Sequence, residues 1–136
     1  MTYGVAAALQ QAVYDALMAD PTLTGLVAGA IYDAVPPGIV AGTYVSLGPE
    51  DVREASDKTG HGAVHEISVS VVTDAAGFSS AKAVATAVSD VLVDAALPLA
   101  RGDLVYLNFH RARARRVQDA DIRRIDLKFR ARVQDS

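Results

Sequence analysis

The densest run of chemically capable side chains is Arg111-Ala112-Arg113-Ala114-Arg115-Arg116, close to the end of a 136-residue chain. At strand spacing Arg111, Arg113 and Arg115 project from one face. Arg124, Arg130 and Arg132 follow on the polar alternation Arg124, Asp126, Lys128, Arg130, Arg132. Such a face can contact phosphates. It can equally meet carboxylates, which the planar guanidinium fork grips through two parallel bonds. No aromatic stacking platform is interleaved and no recognition helix accompanies it. Pairing with carboxylates, within or between subunits, is therefore the expectation. A small nucleic-acid-binding module using this arginine face is the alternative.

Other reactive residue types fall in positions that explain them without chemistry. His61, His65 and His110 are scattered. His61 and His65 have i, i+4 spacing, but Gly60 and Gly62 work against a helix there. Ser79-Ser80 stands where a helix cap is expected, and Ser68 and Ser70 sit on a strand surface; neither has the strand–turn–helix setting of a nucleophile elbow. The pairs Glu50/Asp51 and Asp119/Asp121 fall in loop or turn positions and form no opposed acid–base pair. Gly38, Gly42 and Gly48 lack the following Gly-Lys-Ser/Thr of a phosphate loop. No catalytic, cofactor-binding or metal residue is assigned, and the chain is not expected to be an enzyme.

Composition narrows the class. One domain over 1–136 is the natural count, and 51% hydrophobic residues suffice for a core without staples. There is no cysteine, hence no disulfide framework or thiolate site. No apolar run approaches a membrane span, and no basic residue precedes the apolar N-terminal stretch as in a signal peptide. The net charge of −3 hides an asymmetry: residues 1–100 hold three basic and eleven acidic side chains, residues 101–136 ten basic and five acidic. A subunit balanced at −8 and +5 in its two parts can associate with opposite faces touching.

The elements that must position these residues are legible as periodicities. Val5, Leu9, Val13, Ala16 and Leu17 recur at helical spacing, and Pro21 ends that helix by moving Asp20 out of the α region. Residues 22–28 allow one more turn. Ile31-Tyr32 reads as a short extended piece and Thr43 to Leu47 as a strand that Gly48-Pro49 terminates. Glu50 to Gly62 is long and polar, which predicts a mobile loop. Ala63 to Thr73 alternates, with Ile67, Val69 and Val71 on one side and Glu66, Ser68 and Ser70 on the other. A second helix carries Ala81, Val84, Ala85, Val88, Val91 and Leu92, with Ser79 or Ser80 as its cap, and Pro98 ends it. A long hairpin closes the chain, its inward face Val105, Leu107 and Phe109, then Ile125, Leu127, Phe129, Ala131 and Val133. The expected class is α+β: two helices on one face of a mainly antiparallel sheet, with a long C-terminal hairpin.

One string has an order that goes beyond periodicity: Asp20-Pro21-Thr22-Leu23, then Ile31-Tyr32-Asp33-Ala34-Val35-Pro36, Tyr44-Val45-Ser46-Leu47-Gly48, a polar loop, and Val71-Val72-Thr73-Asp74-Ala75-Ala76-Gly77 before a helix. It resembles the small tail-completion proteins of long-tailed phages and gene transfer agents, the family with the domain of unknown function 3168. The chain departs from that family in carrying Thr43-Tyr44 for a usual Pro-Tyr, and no tryptophan near the end of the central strand. The resemblance implies a tail-terminator fold and a hexameric ring that ends growth of the tail tube and joins it to the head, with DNA passing through the lumen. The implied partners are other copies of itself, the tail tube protein and a head-tail connector or stopper protein. A connector or stopper of the same junction is the alternative within this class. The implied location is the tail–head junction of a virion or phage-like particle, made in a bacterial cytoplasm, with no membrane and no cofactor. On this reading Arg111, Arg113, Arg115, Arg124, Arg130 and Arg132 face a subunit or partner, and Glu50, Asp51, Arg53, Glu54, Asp57 and Lys58 belong to a docking loop.

Overall fold

A computed structural model describes residues 3–36, 41–56, 61–117 and 121–135. Helix α1 spans Ala6–Ala19 and α2 spans Pro21–Val27. The break between them has a local cause. Asp20 is extended (ψ 115°), and its carboxylate accepts the Leu23 N–H at 2.9 Å, so one residue ends α1 and caps α2. Pro21 at the first helical position lacks only an N–H that would be unpaired there. Strands β1 (Ile31–Tyr32), β2 (Thr43–Glu54) and β3 (His61–Thr73) follow, then α3 (Ser79–Leu92), β4 (Asp103–Val117) and β5 (Ile122–Asp135).

The five strands form one sheet in the order β1-β2-β3-β5-β4, antiparallel except for the parallel β1–β2 pair. β3 and β5 pair without interruption from His61↔Asp135 to Thr73↔Arg123. All three helices cover one face. Leu9, Val13 and Leu17 of α1, Leu23 and Val27 of α2, and Val84, Val88 and Leu92 of α3 meet Val69, Val71, Ile125, Leu127, Phe129 and Val133 in a single buried cluster. The inward residues expected on β3 and β5 are buried there, and β5 alternates as expected, but β3 is covered on both faces: Ser68 and Ser70, expected on a strand surface, are 5% and 2% exposed.

Four expectations need correction. The polar stretch from Glu50 is not loop at its ends: β2 continues through Glu54 and β3 begins at His61. Gly48-Pro49 does not terminate the strand but shifts its register between Leu47 and Glu50. A bulge on a strand with a free side tolerates a proline, which has no N–H to donate. Polar residues 50–54 resemble a loop because this part of the strand is wet. On β4, only Leu107 of the expected inward trio is buried (0% exposed); Val105 is 57% and Phe109 47% exposed. Irregularities between Leu104 and Tyr106 and between Phe109 and Arg111 explain Val105, which is the extra residue of the first bulge. Phe109 keeps the inward side, edge-on to Phe129 with centroids 6.0 Å apart, but lies beyond the helices' cover. Finally, Phe78 and not a serine occupies the cap of α3, with no side-chain bond.

Gly102 shows why the entry to β4 is tight. Its φ is +73°, and a Cβ there would stand 2.5 Å from the Gln134 carbonyl oxygen. The burial pattern sets a direct test. Leu127→Ala should lower stability by about 2–5 kcal/mol as a buried truncation, whereas Val105→Ala should change it by less than about 0.5 kcal/mol. Urea unfolding midpoints of the two variants should therefore separate clearly; equal midpoints would show the inward face to be misassigned.

Candidate interaction surface

The face of the sheet away from the helices is a lattice of polar rows, because every second residue of the paired strands leaves on that side. Across β2, β3, β5 and β4 the rows read Arg53, Val64, Arg132, Tyr106; then Asp51, Glu66, Arg130, Asn108; and Ser46, Ser70, Asp126, Arg113; and Tyr44, Val72, Arg124, Arg115. Ser68, Lys128 and Arg111 share a further row. The six arginines singled out from sequence are thus gathered on one face of two neighbouring strands.

Their partners differ. Asp126 is the hub of one end: it accepts from Ser70 Oγ at 2.7 Å and from Arg124 Nε at 2.8 Å, and Arg115 Nε lies 3.6 Å away. Arg124 also donates to Ser70 at 3.1 Å. Lys128 donates to Ser68 Oγ at 2.7 Å. Arg130 meets His110 at 3.1 Å and Glu66 at 3.9 Å, and Arg132 donates to the Ala55 carbonyl at 2.6 Å. Arg111 and Arg113 are exposed and have no ion-pair partner among the described residues. They border a shallow groove of about 610 Å³ with Arg115, Asp126 and Lys128. Pairing within the subunit therefore holds for Arg115, Arg124 and Arg130, and leaves Arg111 and Arg113 of β4 exposed and without an ion pair among the described residues.

Burial pushes the Asp126 carboxyl upward, but the hydrogen bonds from Ser70 and Arg124 and the charges of Arg124 and Arg115 outweigh it. The net pKa lies below the ordinary 3.8. A carboxylate with a lowered folded-state pKa stabilises the fold above its unfolded value, and that stabilisation is lost as pH falls through the folded one. Asp126→Asn should therefore be less stable than the parent at neutral pH. The gap should stay constant down to about pH 4 and narrow below it. Thermal unfolding of both proteins across pH 2–7 checks this; a gap that widens in acid would contradict it.

The docking-loop residues are not one free loop. Asp51, Arg53 and Glu54 are exposed on the outermost part of β2. Glu50 instead points to the helix side, where one carboxylate oxygen accepts the Tyr3 hydroxyl and the other lies 3.3 Å from His65 Nδ1. Tyr3 stacks over the fully buried His65, centroids 6.3 Å apart. This brace ties the N-terminal segment to the sheet. Sequence reasoning missed it because its three members are far apart in the chain. Asp57 and Lys58 lie outside the described residues. Beside the brace, Tyr3, Ala6, Ala7, Gln10, Tyr14, Asp33 and Glu50 line an open groove of about 520 Å³ between α1 and the free side of β2. Among the described residues no cluster of three or more potential metal ligands occurs, and no helix is long and apolar enough to cross a membrane.

The described residues form an α+β unit with one helix-covered face, one charged face, and strand sides open on β4 and on part of β2. Residues 11–134 match the model of the family described as "Tail completion protein gp17", and the chain belongs to that family. It is also similar to a chain in a solved structure, "Virion of native gene transfer agent (GTA) particle". The two are 68% identical, with a TM-score of 0.92 over 98% of this chain and 99% of the other. No curated protein matches the chain.

Proposed function

We propose that this chain is a structural, non-enzymatic component of a phage-like particle. It ends the tail tube as a ring, the hexamer that the sequence resemblance implies, and joins the tail to the head while DNA passes through the lumen. The observation that carries this reading is the family match over residues 11–134. The near-complete likeness to a chain of a gene transfer agent virion supports it. The physical form agrees. A subunit with two unpaired strand sides is prone to open-ended association unless the contacts close on themselves, and a cyclic assembly does that. Its partners in this reading are other copies, the tail tube protein and the connector or stopper of the head. The tethering of Arg115 and Arg124 to Asp126 and of Arg130 to Glu66 weighs against a nucleic-acid module, since those charges are already opposed.

Particles made without this chain should show tails of irregular length and heads lacking tails when counted by electron microscopy. Arg113→Glu combined with Arg130→Glu should leave the subunit folded, by circular dichroism, and give the same defect in milder form. Uniform, head-bound tails in the absence of the chain would contradict the proposed role. Normal particles from the double variant would remove the charged face from it.

A further inference from the structure

Among the described residues the sheet has two free sides, and they match. No described strand lies beyond β4, and β1 pairs with β2 only at Val45 and Ser46, which leaves Leu47–Glu54 without a described partner on that side. β4 and β2 run in opposite directions, since each step β2–β3–β5–β4 is antiparallel. Copies set side by side therefore offer each other an antiparallel pairing, the arrangement in which backbone donors and acceptors of two edges satisfy one another.

We propose that β4 of one copy adds to the open part of β2 of the next, and that Phe109 enters the groove between α1 and β2 of that neighbour. This rests on the ring reading above and specifies its contact. The rows fix the level. Glu50, Ile67, Phe129 and Phe109 lie on one row across the sheet. Lateral repetition without slip brings Phe109 beside the neighbour's Glu50, which lines the groove. Both side chains are on the helix side, so a half-exposed aromatic ring meets a slot walled by Ala6, Ala7 and Tyr14. On the same level, Asn108 meets Asp51 and Tyr106 meets Arg53. The charges on the other face agree with this placement. Arg111 stands one outward row from Asn108, hence beside the neighbour's exposed Asp51, and it has no ion-pair partner among the described residues of its own subunit. The two bulges in β4 suit a specific rather than a promiscuous edge, because they interrupt pairing with strands of any other spacing.

The absence of cysteine makes the contact directly testable. Within one subunit Asp51 and Asn108 are separated by three strand spacings, about 14 Å. That is beyond the roughly 7 Å Cα limit of a disulfide. Asp51→Cys with Asn108→Cys can therefore link only different copies. Oxidised particles carrying this pair should give a ladder of covalent multimers on non-reducing gels, and each single-cysteine variant only monomer. Ala7→Arg, an exposed change that fills the groove, should abolish the ladder without shifting the unfolding midpoint. Monomer alone from particles that contain the double-cysteine chain overturns the edge contact and leaves the ring reading standing. A ladder that stops at the dimer overturns its head-to-tail geometry. Absence of the parent chain from particles overturns the ring reading, and this contact with it.

Discussion

The uninterrupted pairing of β3 with β5 is the interaction on which the other features depend. Thirteen consecutive partners, His61↔Asp135 to Thr73↔Arg123, hold two distant parts of the chain in one register. A slip by one residue would exchange the faces of either strand. It would put Arg124, Lys128 and Arg130 against the helices and Leu127 and Phe129 into water. The register therefore sorts the molecule into a buried side and a charged side. β2 and β4 then inherit their orientation from the strands they flank.

The strands that flank the β3–β5 pair, β2 and β4, depart most from regular pairing. Each carries an irregularity: Gly48-Pro49 in β2, and the bulges near Val105 and His110 in β4. β4 also exposes Phe109, Arg111 and Arg113, the two arginines having no ion pair among the described residues. On the charged face of the inner strands, by contrast, Ser70, Asp126 and Arg124 oppose one another within the subunit. Unopposed Arg111 and Arg113 at the margin, among the described residues, suit the proposed repeating unit that is completed by its neighbours.

The helices and β5 were legible in the sequence because one face is wet and the other dry, which periodicity reports directly; β3 was legible from its polar–apolar alternation although both its faces are covered. The outer strands were not. Residues 50–54 form a strand with one side open, and their polarity imitates a loop. β4 loses its alternation at each bulge, so Val105 reads as inward although its side chain is in solvent. The charged face was legible as the alternation Arg124, Asp126, Lys128, Arg130, Arg132. Which arginines are tethered was not, because Asp126 and Glu66 become partners only through pairing between strands. The Tyr3–Glu50–His65 brace left no local pattern at all.

Hydrogen–deuterium exchange of the outer strands tests the central claim, that copies close each other's sheet, most directly. Amides of β4 and of residues 47–54 that point away from the sheet should exchange rapidly in the isolated subunit. In assembled particles the same amides should be protected while the inner strands change little. Equally rapid exchange of both strand sides in subunit and particle would show that the edges stay open, and would contradict the account.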